Sequence, residues 1–297
     1  MSISLRHVLS QGPVLGALAR VALESLHAPK TGPAPKTPGP WIEAELPPRS
    51  ADLLRDYVRH VGGDPSWYRG RVPASLFPQW GFPLAARTLE GVPYPLARVM
   101  NAGCRIEQRA PLRADVPLRV RARLESIDDD GARAILVQRV ETGTREEPAA
   151  LVGEIRAYVP LAKRPTSGQP ASTRKRAAVP VDAIELAYLR LGADAGLDFA
   201  KLTGDFNPIH WIAPYARMSG FKAPILHGFA TFARAIEALN RARFSGDPLR
   251  LATFDARFTK PLVLPARVGV YVERGSLWVG DAPGGGAYLE GTFTTRE

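Results

Sequence analysis

The sequence predicts an α+β protein made of two copies of one unit, each an amphipathic helix followed by antiparallel strands. Three observations carry this. "GFPLAARTLE" (81–90) and "GFATFARAIE" (228–237) share Gly, Phe, Ala, Arg and Glu at the same places, and their offset (228 − 81 = 147) is about half of the 297-residue chain. Behind each copy lies a strand-like stretch marked by prolines, "APLRADVPLRVRARL" (110–124) and "KPLVLPARVGVYV" (260–272). In these, Pro111-Leu112 matches Pro261-Leu262 and Pro117 matches Pro265. The remaining strand candidates alternate apolar and polar residues with period two, the pattern of a sheet with one buried face.

The elements follow in order. Residues 1–40 are an N-terminal helix and a Pro-rich linker. The first 25 residues carry no acid before Glu24 and raise the question of a targeting peptide, but Arg20 interrupts the apolar part and no small-residue cleavage site stands out. They read as an amphipathic helix packed on the body through Leu15, Leu18, Ala22 and Leu26. The first unit, 41–161, has its helix starting after Gly81 and strands at 118–124, 132–140 and 151–159. A Pro-, Ser- and charge-rich spacer, 162–180, leads to the second unit, 181–297. There the helix starts after Gly228 with Phe229, Phe232, Ala233 and Ile236 at helical spacing, and strands follow at 254–262 and 268–273. "DDDG" (128–131) and "GDAPGGG" (280–286) are the turns between strands.

Composition narrows the function classes. Hydrophobic content of 45% and charged content of 23%, with no apolar run of about 18 residues, exclude an integral membrane segment. Cys104 is the sole cysteine, so an internal disulfide, a cysteine zinc cluster and an internal redox pair are excluded, and a cytoplasmic location fits. The net charge of +10 raises nucleic acid, but the arginines are scattered and the one dense run, "STRKR" (172–176), lies in the spacer without a nucleic-acid motif. A basic surface that captures an anionic small ligand is the better reading.

The chemistry-bearing stretch is "TGDFNPIH" (203–210), followed by "APILHGF" (223–229). Pro208 fixes its own backbone and keeps Asn207 out of helical geometry, so the stretch is a turn leading into a short helix. Asp205 at its start and His210 on the helix can converge on one water, the arrangement of general acid/base catalysis. Gly228, at the start of the second helix, offers a backbone N–H for a developing oxyanion and no side chain to hinder approach. Plainer readings stand beside this one. Asp205 can be an N-cap, His210 a satisfied half-buried histidine, and His227 a structural residue hydrogen-bonded at the helix entry. Asp205, His210 and His227 are too few convincing ligands for a metal site, so no metal is expected. No Gly-x-Ser-x-Gly elbow exists and Cys104 has no histidine in motif context, which argues against nucleophilic hydrolysis. The first half offers "YVRHVGGDPSWYRGR" (57–71) at the corresponding place. Gly62, Gly63 and Asp64 keep the turn but no Asn-Pro-x-His follows, which implies one chemical site per chain.

Residues 199–235, through Gly204, Asp205, Asn207, Pro208, His210, Pro224, His227 and Gly228, resemble the signature of the MaoC-like (R)-specific enoyl-thioester hydratases, or type 2 enoyl-CoA hydratases. The whole chain is similar to their double-hotdog 3-hydroxyacyl-thioester dehydratase subgroup. The resemblance implies two hotdog units, each a central helix wrapped by an antiparallel sheet, with a degenerate first half and a catalytic second half. It implies that Asp205 and His210 activate a water, that Asn207 orients them, and that Gly228 N–H polarises the thioester carbonyl. Water then adds to a trans-2-enoyl thioester, or leaves the (R)-3-hydroxyacyl thioester, without a cofactor. The alternatives are a hydratase for a specialised branched or polyketide-like thioester and a non-catalytic acyl-thioester-binding protein. It implies further that the degenerate half makes room for the acyl chain. Leu76, Phe77, Trp80 and Phe82 are then the candidate lining, with core packing as the competing role. The basic surface suits coenzyme A phosphates or an acidic acyl-carrier protein. Oligomeric state is not set by the sequence, and a homodimer of double hotdogs is compatible with it.

Overall fold

The computed structural model describes residues 3–12, 14–16, 32–161 and 177–296. Ten strands form one sheet in the order β1-β3-β4-β5-β2-β7-β10-β9-β8-β6, every pair antiparallel. The first five are β1 (Ile42–Leu46), β2 (Met100–Gln108), β3 (Leu118–Asp129), β4 (Arg133–Gly143) and β5 (Leu151–Pro160). The second five are β6 (Ile184–Leu191), β7 (Leu251–Phe258), β8 (Ala266–Glu273), β9 (Ser276–Gly280) and β10 (Ala287–Thr295). Each half uses the same internal order, and the halves meet where β2 pairs with β7. In that pairing Arg105 stands opposite Asp255, the same separation as Pro111 to Pro261 (255 − 105 = 261 − 111 = 150). A local two-fold axis therefore runs through this pair. A bidentate bond from Arg156 on β5 to Asp255, 2.5 and 2.9 Å, fastens the two halves across it.

The helices sit on one face of the sheet. α1 (Ala51–His60) starts where Ser50 accepts from Leu53 N–H, and buries Leu53, Leu54, Tyr57 and Val58. α2 (Pro78–Arg87) is the first-half helix of the repeat, and α3 (Ala195–Thr203), α4 (Ala213–Met218) and α5 (Gly228–Ala242) belong to the second half. Each half thus has a strand and a helix, β1 with α1 and β6 with α3, ahead of the repeated helix. The repeat did not expose them because little residue identity survives there. The first-half helix begins at Pro78 rather than after Gly81, since proline suits the first helical position and the turn Ala74–Leu76 runs directly into it. The strand read at 254–262 ends at Phe258, ahead of the Lys260-Pro261 turn.

α5 is not amphipathic in its setting. Residues 229–240 are all buried, and Phe232 stacks on Phe254 of β7 at 4.8 Å. Burying each such phenylalanine is worth roughly 1.5–3 kcal/mol. Its polar residues are met by the first half, which supplies Tyr68 and His60 as partners beside those the helix provides itself. Tyr68 O–H and Asn240 Nδ2 donate to the Glu237 carboxylate, and Arg234 Nη2 donates to His60 Nε2 (3.0 Å) and to the His60 carbonyl (3.2 Å). A helix with a hydrophilic stripe is thereby sealed on every side, because the loop after α1 closes over that stripe.

The N-terminal residues pack on the body through a 3-10 helix, Leu5–Gln11, and through buried Gln11 and Val14. Leu15 is half-buried; Leu18, Ala22 and Leu26 lie outside the described residues, as do 162–176 of the spacer with "STRKR". Among the described residues no helix is long and apolar enough to cross a membrane.

Candidate active site

The site is assembled at the end of α3. Gly204 closes the helix in the left-handed region (φ 82°) while its N–H reaches the Ala200 carbonyl at 2.7 Å, a backbone state that glycine adopts without steric cost. Asp205 follows with its side chain one-third exposed. The 3-10 turn Pro208–His210 is capped by Asn207, whose Oδ1 accepts from Ile209 N–H at 3.3 Å. The cap is therefore Asn207 and not Asp205. Two residues separate the aspartate from the turn's first residue, too far for a cap, so its carboxylate is left for the site apart from one long contact with Asn207 N–H (3.4 Å).

Two histidines meet this carboxylate. A ring nitrogen of His210, a ring nitrogen of His227 and a carboxylate oxygen of Asp205 lie within 4.8 Å of one another, and the imidazoles stack at 3.6 Å between centroids. Carbonyl oxygens only accept, and this settles both tautomers. His210 Nδ1–H donates to the Ile225 carbonyl (2.8 Å), leaving the lone pair on Nε2. His227 Nε2–H donates to the Asp205 carbonyl (2.9 Å), leaving its buried Nδ1 bare and without a partner among the described residues. Burial lowers the His210 pKa, against the raising effects of the Asp205 charge and the Ile225 bond. His227 is pushed down to about 3, by burial first and then by His210. Both rings are neutral near pH 7.

His227 is also the residue ahead of α5, so Gly228 is the first residue of that helix. Helix geometry leaves the first N–H groups without intrahelical partners, and Gly228 N–H faces the dipole's positive end. A β-carbon on Gly228 would stand 2.6 Å from the Phe258 ring, so a side chain there would have to displace that ring.

Asp205 lines a narrow pocket that continues over Thr203, Phe199 and Phe229 of the second half and Ser75, Leu76, Pro78 and Phe82 of the first, with Val14 from the N-terminal segment. Of the expected lining, Leu76 and Phe82 face this pocket. Phe77 and Trp80 belong to the core: Phe77 is fully buried against Phe229, and Trp80 donates from Nε1 to Thr142 Oγ1 (3.0 Å). Sequence reasoning missed Phe199, Thr203, Ser75 and Val14, which carry no motif. His227 stands where the sequence reading put it, at the helix entry and hydrogen-bonded there, with the Asp205 carbonyl as its partner. By distance Asp205, His210 and His227 could hold a metal, and since His227 Nε2 is committed to the Asp205 carbonyl, His227 would ligate through its buried Nδ1. Cys104 is fully buried on β2 and its thiol pKa is raised by that burial, away from a reactive thiolate.

A family model described as MaoC like domain matches residues 166–282. The 3-hydroxyacyl-thioester dehydratase X of Mycobacterium tuberculosis is 29% identical over 211 residues, 70% of this chain and 72% of that protein. Peroxisomal multifunctional enzyme type 2 of Mus musculus is 25% identical over 208 residues, and there the match spans only 28% of the relative. The crystal structure of HtdX from Mycobacterium tuberculosis superposes with a TM-score of 0.68 at 22% identity, covering 86% of this chain and all (100%) of that one. A second Mycobacterium tuberculosis protein, described as a double hotdog fold, matches with a TM-score of 0.55 at 14% identity over 88% of this chain and 97% of its own. The ten-stranded sheet with its local two-fold axis is a double hotdog.

Proposed function

Residues 166–282 of this chain belong to the MaoC-like domain family, and from that premise we propose that it is a hydro-lyase interconverting trans-2-enoyl and (R)-3-hydroxyacyl thioesters in fatty-acid or related lipid metabolism. The hotdog units take residues 41–161 and 181–297, and the second carries the chemistry. The observation that carries the reading is the convergence of neutral His210 with the Asp205 carboxylate, which itself lines a largely apolar pocket.

In hydration, a water between the Asp205 carboxylate and His210 Nε2 gives a proton to the dyad while its oxygen bonds to C3 of the enoyl group. The C2–C3 π electrons move toward the thioester oxygen, where Gly228 N–H meets the developing charge, and the dyad returns a proton to C2. Dehydration is the reverse. His210 suits the base role because its Nδ1–H is held by a carbonyl and burial keeps Nε2 unprotonated. Asn207 acts by capping the turn that carries His210. The thioester is carried by coenzyme A or an acyl-carrier protein, either of which suits the +10 chain, and a homodimer is the assembly we expect.

The test is the loss of enoyl-thioester ultraviolet absorbance with trans-2-enoyl-CoA of rising chain length. Wild type should hydrate, and Asp205→Asn should lower turnover by roughly 100-fold or more. A folded Asp205→Asn protein that keeps most of the rate removes Asp205 from the mechanism.

A further inference from the structure

Val14 is buried (3% exposed) yet stands outside the contiguous hydrophobic core clusters of the described residues. What it covers instead is the pocket, whose wall it shares with Asp205, Leu76, Phe82 and Phe229. Its seat is specific. A β-carbon on Gly204 would come within 2.7 Å of Val14 Cβ and 3.1 Å of Gln11 Cβ, so the N-terminal segment rests directly on the turn that delivers Asp205.

Polar bonds hold the segment there. Gln11 has no exposed surface (0%); its Nε2 donates to the Leu202 carbonyl at the end of α3 (2.9 Å) and its Oε1 accepts from Gln79 Nε2 of α2 (2.9 Å). One side chain thus ties the second-half helix that ends at the site to the first-half helix that lines the pocket. Ahead of it, His7 Nε2 meets Asp56 Oδ2 on α1 at 2.8 Å, Arg6 pairs with Asp52 (3.4 Å) and Asp56 (3.3 Å), and Ile3 N–H reaches Asp198 on α3 at 3.4 Å. A buried glutamine that spends both ends of its amide on backbone and side-chain partners is expensive to displace, which makes this part of the wall fixed.

From this geometry we infer that the N-terminal segment is a wall of the acyl pocket and that Val14 is a specificity-determining residue whose side-chain size limits the acyl group admitted beside Asp205. The inference rests on the thioester reading of the site. Apolar pockets discriminate through small differences in volume, and one methylene too many or too few is worth roughly 10- to 200-fold in kcat/KM.

The experiment compares Val14→Ala and Val14→Phe with wild type on trans-2-enoyl-CoA substrates from short to long, reading the ratio of kcat/KM for the longest to the shortest substrate that wild type turns over. The ratio should rise in Val14→Ala and fall by roughly 10-fold or more in Val14→Phe. Ratios equal to wild type in folded variants overturn the inference. Should Val14→Phe fail to fold, Val14→Ala decides alone. If wild type hydrates none of these substrates, the hydratase reading fails separately, and the same ratio is taken from calorimetric Kd values for saturated acyl-CoAs. Unchanged Kd ratios, or no acyl-CoA binding by wild type, would then sink the Val14 assignment as well.

Discussion

α1 ends at His60 and is followed by left-handed Gly62, then Asp64 and the 3-10 turn Pro65–Trp67; α3 ends at Thr203 and is followed by left-handed Gly204, then Asn207 and the 3-10 turn Pro208–His210. The caps do the same work. Asp64 Oδ1 accepts from Ser66 N–H at 2.9 Å, as Asn207 Oδ1 does from Ile209 N–H at 3.3 Å. Asp64 is therefore the counterpart of Asn207 and not of Asp205, and Trp67 takes the place of His210. The halves differ in what lies between the left-handed glycine and the cap: Gly63 alone in the first, Asp205 and Phe206 in the second. A β-carbon on Gly63 would fall 2.4 Å from Glu237 Oε2 and 2.8 Å from Val58 Cγ1. The first turn has no room for a carboxylate because it is pressed onto α5 of the other half. One turn shape thus serves two ends, sealing the central helix in one half and presenting an acid and a base in the other.

The widest separation between the two turns should come from the paired substitutions His210→Ala and Trp67→Ala. The first should lower hydration by roughly 100-fold or more with the fold intact. The second removes packing on Gly246 and the cation–π contact with Arg241 (5.2 Å), so its effect should be read in Tm with kcat/KM little changed. Comparable activity losses in both would erase the asymmetry. The pH profile sharpens it further: hydration needs neutral His210, whose pKa lies below the ordinary 6.5, so kcat/KM should hold as pH falls through 6.5 and drop only below it. An acid limb above pH 6.5 would mean that a different group is the base.

The repeated glycines offer the next comparison. Gly228→Ala pushes a methyl into the Phe258 ring and displaces the N–H at the head of α5, and kcat should fall roughly 10-fold or more while KM moves less. Gly81 sits inside α2 with its N–H already bonded to the Phe77 carbonyl (2.8 Å), and a methyl there would meet Val140 Cγ1 at 3.0 Å. Gly81→Ala gains helix propensity of about 1 kcal/mol against a tight contact to which Val140 must yield, and because Gly81 lies away from the reacting groups activity should be retained. Equal losses at both glycines would deny Gly228 its part at the carbonyl.

Smaller is the effect of the charge that the first turn covers. Burial raises Glu237 from 4.5 to about 7, so its contribution to stability is full below 4.5 and is lost as pH rises through about 7. His60 and His227 act with the opposite sign. Burial drops both from 6.5 to about 3, so their contribution is present above 6.5 and lost as pH falls toward 3. Glu237→Gln should remove the first dependence alone, gaining on wild type by on the order of 2 kcal/mol between pH near 5 and pH near 8 in urea unfolding. A constant difference across that range would mean the carboxyl is not protonated when covered.

How much of this was legible follows from where information is local. The repeat "GFPLAARTLE"/"GFATFARAIE" and the period-two strands carried the α+β double unit, because hydrophobic periodicity and proline placement act within a few residues. Asp205, His210 and Gly228 were legible as a motif. The burial of Arg234, Glu237 and Asn240 was not, since each looks like a solvated helix face until Tyr68 and His60 arrive from residues far away in the chain. The pocket wall was illegible for the same reason: Val14, Ser75 and Phe199 meet only through tertiary packing. Phe77 and Trp80 share one segment with Leu76 and Phe82, and core packing, the competing role for that segment, is where their large apolar side chains lie.

Asp64→Ala is the substitution with the smallest expected effect, and it tests whether the two turns were matched correctly. If Asp64 were the counterpart of Asp205, the first half would hold a relic of the acid, and its removal could disturb a shared site. Its carboxylate, however, is spent on Ser66 N–H, which lowers its pKa as a cap bond should, and it lies at the surface of the turn away from the Asp205 pocket. Alanine should therefore leave kcat/KM unchanged and lower Tm slightly, and Asp64→Asn, which keeps the acceptor oxygen, should restore most of the lost Tm. A fall in kcat/KM in folded Asp64→Ala that Asp64→Asn does not restore would require a charge in the first turn, and would break the equivalence of Asp64 with Asn207 on which the one-site reading of this chain depends.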